Sequence, residues 1–342
     1  MLPVSLGVMP GSWLEAGWVS EGRQRKNHPR RPYGRSLLNI INHETRRDLA
    51  EDGDTPETTE WAMALSTDDR GHIMEHIFVD YGVIFMDNRI VCQFSCGAAS
   101  AVATKLALSQ YGDRCVVLNA YIANEHEDNR RFAADCEKWF GRTITVLRDE
   151  KYDADAITVF ERVGYIKGPR GAACTTRIKR GLLRSFSKPG DVLVLGYTAE
   201  EQRRFDDFET NWPDTPVVAP LIERGLTKED CKAMVLRAGI RLPRMYELGY
   251  DNANCIGCVK GGLGYFRAIR EDFPDQFERL AQAEDKVAEL HGTNAYILRY
   301  RSGPLKGQRF PLRELPPGPI VRNEAIPSCG LFCDAAEQEY AA

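Results

Sequence analysis

Residues 90–105 read Ile-Val-Cys-Gln-Phe-Ser-Cys-Gly-Ala-Ala-Ser-Ala-Val-Ala-Thr-Lys, and this stretch constrains the fold more than any other. The apolar run 90–94 reads as a buried strand, and it breaks into small residues that lead into an Ala-rich, helix-favouring segment. A strand, a tight turn and a helix start therefore follow one another directly. Such a turn leaves the first N–H groups of the helix without intrahelical partners, at the point where the helix dipole adds its field. A phosphate or sulfate fits there. The small residues Cys96, Gly97, Ala98 and Ala99 let an anion approach the backbone, and the hydroxyls of Ser95 and Ser100 offer further hydrogen bonds. The same turn also serves as a plain connection, so the reading depends on its surroundings.

From Met86 onward the pattern alternates. Strands are expected over 90–94, 115–119, 143–147, 191–196 and 217–219. Helices are expected to about residue 110, then over 128–140, 153–163 and 175–187. Another begins at Thr227, whose hydroxyl precedes an acidic first turn, and Gly239 is placed to stop it. Strands alternating with helices of this length imply an α/β fold: a doubly wound, mostly parallel sheet. Ligands bind such sheets at the carboxyl ends of the strands, which is where the 95–100 turn sits. Beyond residue 262 the chain becomes charged and helical over 265–290, with a break at Pro274, then strand-like over 295–300, and it ends in a Pro/Gly-rich, cysteine-bearing tail. The expected organisation is thus an extension over 1–85, a nucleotide-binding domain over 86–262 and a helical region over 263–342.

The extension carries a basic patch over 23–35 and an acidic, Thr-rich piece over 48–60, with little periodicity, and is expected to be poorly ordered apart from a short helix after Pro56. The net charge of -4 argues against a dedicated nucleic-acid binder. There is neither an apolar run long enough to span a membrane nor a basic n-region, so a cytoplasmic protein without a membrane partner is expected.

In that compartment the ten cysteines are thiols, metal ligands or redox groups. Cys255 and Cys258 form a Cys-x-x-Cys pair, Cys174 lies upstream, and Cys329 and Cys333 lie near the C-terminus. Thiolates suit zinc or an iron–sulfur cluster, although a lone pair of this kind is also common in structural sites and plain packing. Cys92, Cys115, Cys136 and Cys231 fall on apolar faces and read as packing residues. Four of the six histidines precede residue 85, leaving His126 and His291 as too few for a histidine-based metal site.

Taken together, five motifs resemble the phosphoadenosine phosphosulfate reductase family, within the PP-loop group. Ser95-Cys-Gly-Ala-Ala-Ser100 is similar to its Ser-Gly-Gly-x-x-Ser loop, and the segment from Asn119 to Phe132, with Glu125, is similar to the stretch after its second strand. Gly196-Tyr-Thr-Ala-Glu200-Glu-Gln-Arg203-Arg204 is similar to its Gly-x-Arg-x-x-Glu-Ser-x-Arg pattern. Pro220-Leu221 and the set Cys174, Cys255 and Cys258 complete the likeness.

The resemblance implies a Rossmann-like PP-loop fold that binds an adenine nucleotide or sulfonucleotide. Its site would comprise Ser95, Cys96, Gly97, Ala98, Ala99, Ser100, Asn119, Glu125, Gly196, Glu200, Arg203 and Arg204. Arg177, Lys179 and Arg180 are expected as basic anion contacts, or as a solvated basic face. Cys174, Cys255 and Cys258 match ligands of a 4Fe-4S cluster, with zinc as the alternative. Cys329-Gly-Leu331 resembles the family's nucleophile motif, so Cys329 is the expected nucleophile and a thioredoxin-like protein its reductant. Cys333 would resolve a disulfide with Cys329 or supply a fourth thiolate. Several positions depart from the family: Thr175 replaces a second cysteine, and Ser328 and Phe332 flank Cys329 in place of Glu and His. Ala99 stands where ATP-cleaving relatives carry aspartate, which leans away from ATP cleavage, and Thr198 replaces an arginine. Cys96 replaces a glycine, and an ordinary negative φ is expected there. The competing readings are an ATP-dependent sulfur transferase acting on a nucleic-acid base or backbone, and a metal-stapled nucleotide-binding protein without turnover.

Overall fold

The computed structural model describes residues 88–168 and 171–326. The extension over 1–85, the helix after Pro56, the domain start at Met86, and both Cys329 and Cys333 lie outside the described residues.

The first strand, β1 (Ile90–Gln93), runs into helix α1 (Ala98–Tyr111). Ile90, Val91, Cys92 and Phe94 are all sealed from solvent, the continuous apolar pattern of a strand covered on both faces. Burying a side chain such as Phe94 stabilises by about 1.5–3 kcal/mol. Next come β2 (Cys115–Ala120), α2 (Asp128–Phe140) and β3 (Ile144–Leu147). Helix α3 (Ala156–Val163) starts later than its sequence implies. Asp153 and Ala154 adopt left-handed φ of 55° and 53°, and the helix begins only where the Asp155 carboxylate caps the N–H groups of Ile157 and Thr158. A two-stranded hairpin, β4 (Lys167–Gly168) and β5 (Gly171–Ala172), precedes the expected basic helix, which opens as a π-turn over Thr175–Arg180 and continues as α4 (Gly181–Phe186).

Strand β6 (Val192–Val194) leads through a tight turn into α5 (Gln202–Asn211), and β7 (Val217–Val218) into α6 (Pro220–Glu223). Helix α7 (Lys228–Arg237) carries the expected Thr227 cap, closed reciprocally by Asp230. After the short α8 (Arg244–Glu247), helices α9 (Leu263–Asp272) and α10 (Pro274–His291) are divided by Pro274 as the sequence implies. The strand expected over 295–300 shortens to β8 (Leu298–Arg299), paired antiparallel with β9 (Arg309–Phe310).

The main sheet is five-stranded and wholly parallel, in the order β3-β2-β1-β6-β7. Alternating residues of its strands face two separate cores. Ile90, Cys92, Phe94, Val117 and Val194 pack with α1, α2 and α7, while Val91, Leu118, Leu193 and Leu195 pack with Leu183, Phe205 and Phe208. Helices therefore cover both faces, and Cys92, Cys115, Cys136 and Cys231 are buried among them as packing residues. A third core joins α3 to α9 and α10 through Phe160, Phe266, Ile269 and Leu280. Among the described residues no helix is long and apolar enough to cross a membrane. The strand order reverses between β1 and β6, and such a switch point opens a crevice at the carboxyl ends of the strands.

Candidate functional site

The turn that leaves β1 is bent by Cys96, which adopts a left-handed φ of 57° rather than the ordinary one expected. A non-glycine residue in that region costs about 1–3 kcal/mol and persists only where its surroundings impose it. Here they do. The Cys96 side chain is 4 % exposed, and Asn119 Nδ2 donates both to its Sγ at 3.4 Å and to Phe94 O at 2.9 Å. Burial, aided by the nearby Glu125 carboxylate and Cys136, pushes this thiol well above its ordinary range. Cys96 is thus an inward anchor that leaves the outer side of the turn to Ser95 and Gly97.

The serine hydroxyls expected to face an anion are engaged with the turn itself. Ser100 Oγ accepts from Ser95 N and from Ser95 Oγ, both at 3.1 Å, and donates to Gly97 O at 3.0 Å. That fills its hydrogen-bonding capacity. The first-turn N–H groups of α1 are what remains. Ala98 N donates to the Tyr246 hydroxyl at 3.3 Å, while the Ala99 and Ser100 N–H groups have no partner within the helix. Burial pushes the Tyr246 phenol up to about 12 despite hydrogen bonds from the Ala98 and Ala253 backbone, so it keeps its proton at neutral pH. From β6, Gly196 lies against the same turn. A Cβ there would stand 3.1 Å from Ser100 Cα and 3.2 Å from Ser100 N, tighter than ordinary contact, so any other residue would push the two segments apart by a few tenths of an ångström.

These groups wall a cavity of about 630 Å³. Ser95, Gly97, Ala99, Ser100, Gly196, Glu200, Arg203 and Arg204 line it, as does Lys179 among the expected basic contacts. Leu118, Leu183 and Val194 supply an apolar floor. Lys228 pairs with Asp251 at 2.5 Å, and Arg204 lies over the Tyr197 ring while pairing with Glu201. Burial acts to raise the Glu200 carboxyl, but hydrogen bonds from Thr198 and the Lys228 backbone hold it below its ordinary value. Of the other expected residues, Cys96, Ala98 and Asn119 are buried behind the turn, and Arg177 and Arg180 line neither this cavity nor its neighbour. Tyr246, Lys228 and residues 251–254 were not anticipated. Tyr246 is 148 residues from Ala98 along the chain, and no local pattern relates the two.

Glu125 lines a second cavity, of about 460 Å³, together with Cys174, Cys255 and Cys258. The three expected ligands therefore share one chamber, whose other walls include Ile157, Phe160 and Leu280. The Cys-x-x-Cys turn is held from several sides. Ile256 N donates to Asn124 O at 2.8 Å; Tyr265 Oη accepts from Cys258 N at 2.9 Å and donates to Cys255 O at 3.1 Å. A soft donor set in an apolar wall fits zinc or an iron–sulfur cluster. Even so, among the described residues no group of three His, Cys, Asp or Glu side chains converges closely enough to hold an ion. His126 also borders the chamber, but its Nδ1 accepts from Asp128 N at 3.1 Å, which leaves the proton of a neutral ring on Nε2 rather than a lone pair. It does not replace the missing ligand in this orientation.

Between the cavities stands an ion pair. Lys179 Nζ, from the wall of the larger, lies 3.5 Å from Glu125 Oε1, in the wall of the smaller, with the two side chains 14 % and 10 % exposed. The chain matches no family model and no curated protein.

Proposed function

We propose that this chain is an adenine-nucleotide-binding enzyme of the phosphoadenosine phosphosulfate reductase type, reducing an adenylated sulfonate in the cytoplasm. The observation that carries the reading is the larger cavity at the switch point, into which the N-terminus of α1 opens beside Lys179, Arg203 and Lys228. The apolar floor of Leu118, Leu183 and Val194 suits an adenosine, and the cations suit its phosphate and sulfonate.

In this reading the Ala99 and Ser100 N–H groups hold the anion, and the Tyr246 hydroxyl donates to it from the side. A thiolate, assigned from sequence to Cys329, attacks the sulfonate sulfur. A sulfur–sulfur bond forms, the bond from sulfur to the nucleotide phosphate oxygen breaks, and the nucleotide leaves with that electron pair. A thioredoxin-like dithiol, or Cys333 followed by such a dithiol, then attacks the Cys329 sulfur, releases sulfite and is oxidised to a disulfide. Cys174, Cys255 and Cys258, with Cys333 as the fourth thiolate where the dithiol alone resolves Cys329, would hold a 4Fe-4S cluster or zinc; a cluster supplies electrostatic and one-electron capacity there, and zinc a structural clip.

The second reading, ATP-dependent sulfur transfer, is favoured by the siting of the thiol chamber directly behind the Lys179–Glu125 pair. Against it stands Ala99, whose position in the larger cavity offers no carboxylate for a metal-bound triphosphate. The deciding experiment supplies the anaerobically purified full chain with an adenylated sulfonate and a dithiol and, in a parallel reaction, with ATP. Sulfite release is expected. Release of AMP and pyrophosphate from ATP, without sulfite, would transfer the assignment to the second reading. Nucleotide binding without turnover would make the chain a binding module.

A further inference from the structure

Helix α9 opens on Gly262, a residue with no side chain to cap the N–H groups of the first turn. The cap comes instead from the C-terminal segment 315–326. Glu324 Oε1 accepts from Gly262 N at 2.7 Å and Oε2 from Tyr265 N at 3.1 Å, so one carboxylate fills both halves of a capping box at the positive end of the helix. The segment is seated along α9. Arg267 donates to Pro316 O and Pro319 O, Val321 N donates to Gly264 O, and Arg322 grips both oxygens of Asp272 at 2.7 Å. Side chains larger than glycine would crowd the seat: a Cβ on Gly262 would stand 2.5 Å from Glu324 Oε1, and one on Gly264 would stand 2.6 Å from Val321 Cγ2. Tyr265, whose N–H Glu324 holds, is also the residue whose hydroxyl joins Cys258 N to Cys255 O.

We propose that Glu324 is a positioning residue of the thiol chamber, acting through Tyr265 to hold the Cys-x-x-Cys turn. Tyr265 is buried in a close-packed core, so its ring shifts only if the start of α9 shifts with it. Glu324 fixes that start with two charge-assisted hydrogen bonds. The hydroxyl then stands where it accepts from Cys258 N and donates to Cys255 O, and the backbone that carries both thiols is fixed in the wall that also holds Cys174. A group bound by several side chains at once requires such fixed supports. The support is long-range, because Glu324 lies 59 residues beyond Tyr265 in the chain. Its neighbours Ala325 and Ile326 line the larger cavity, so one segment abuts both sites. What the thiols hold rests on the function proposed above; the placement of the turn does not.

The test follows the labelling of Cys258 by iodoacetamide in the full chain, with a chelator present, read by peptide mass spectrometry. Glu324→Gln loses one of the two acceptors, and Tyr265→Phe loses the hydroxyl. Each should speed the labelling of Cys258 about tenfold, the scale of one lost hydrogen bond in a local opening. In the double variant the rate should match that of the single variants, because the two residues act in series. Cys136 and Cys231, buried in the core of the main sheet, report general loosening, and their labelling should not change. In parallel, cobalt(II) titrated into the parent and into Glu324→Gln should give a thiolate-to-metal charge-transfer band, with affinity about tenfold or more weaker in the variant. A parent that takes up no cobalt would remove the metal reading and leave the labelling to decide the part of Glu324. Should Glu324→Gln fail to fold, Arg322→Ala cuts the neighbouring anchor and takes its place in the series. The proposal is overturned if Cys258 in Glu324→Gln is labelled at the parent rate, if the two single effects multiply in the double variant, or if Cys136 and Cys231 speed up by the same factor. Equal cobalt affinity in both chains would also overturn it.

Discussion

The two cavities sit back to back yet are built by opposite means. The switch-point cavity is organised around backbone: the 95–100 turn, the α1 N-terminus and the close approach of Gly196. Its oriented N–H groups are delivered by the sheet topology almost regardless of side chain, and Lys179, Arg203 and Lys228 stand around them. The thiol chamber is walled by side chains and loops drawn from residues 123–127, from Cys174 and from residues 255–259, against α3 and α10. Its chemistry depends on three particular cysteines. The first site should therefore respond to changes in backbone geometry, and the second to changes in donor identity. Lys179 and Glu125 join them.

The largest effect is expected from Glu125→Gln. The substitution breaks a mostly buried ion pair, at a cost of about 3 kcal/mol. Chemical denaturation reads this directly, and Lys179→Met in the same chain should recover part of the loss. A change below about 0.5 kcal/mol, the size typical of surface substitutions, would mean that the pair is not the shared wall described here.

Gly196→Ala sharpens the contrast. Its Cβ meets backbone rather than a flexible side chain, so about 1–3 kcal/mol of stability should be lost together with nucleotide affinity. The metal content of the chamber should be unchanged. Metal loss at an intact nucleotide affinity would invert the assignment of the two sites.

Tyr246→Phe removes the hydroxyl that meets Ala98 N at the helix start. Nucleotide affinity should fall about tenfold, the value of one hydrogen bond to a charged group. Tighter binding in calorimetry would instead show that the tyrosine occludes the anion position.

The smallest effect concerns acid. The Arg131 guanidinium, aided by Arg244 N and Arg241, holds the Asp128 carboxyl down at about 2, and Asp128 thereby ties α2 to the segment that carries Tyr246. Its folded value lies below the unfolded value of about 3.9, so the stabilisation is complete above that pH and is lost as pH falls through about 2. Screening at this partly exposed site keeps it to about 1 kcal/mol. Asp128→Asn should remove this part of the acid limb in pH-dependent melting, and an unaltered limb would contradict the assignment.

Features determined by neighbours in sequence were legible before the structure. The β1–turn–α1 unit, the Thr227 cap and the break at Pro274 all follow from local propensity and capping chemistry. The late start of α3 was not, because two left-handed residues precede its Asp155 cap. Cys96 reverses a sound steric expectation because Asn119, a neighbour only through the sheet, fixes the turn from within. Tyr246 and Glu125 show the same limit from the other side. One reaches the helix start across a long separation, and the other leaves the expected nucleotide set for the thiol chamber because residues 124–127 fold against the Cys255 turn.

The central claim is that the switch-point cavity takes an adenine nucleotide, and isothermal titration calorimetry of the full chain tests it most directly. Adenosine 5′-phosphosulfate and ATP would be titrated separately into the parent chain and into Gly196→Ala. The account predicts saturable binding of the phosphosulfate at one site per chain, weakened in Gly196→Ala. No saturable heat with either nucleotide, or equal affinity in both chains, would contradict it.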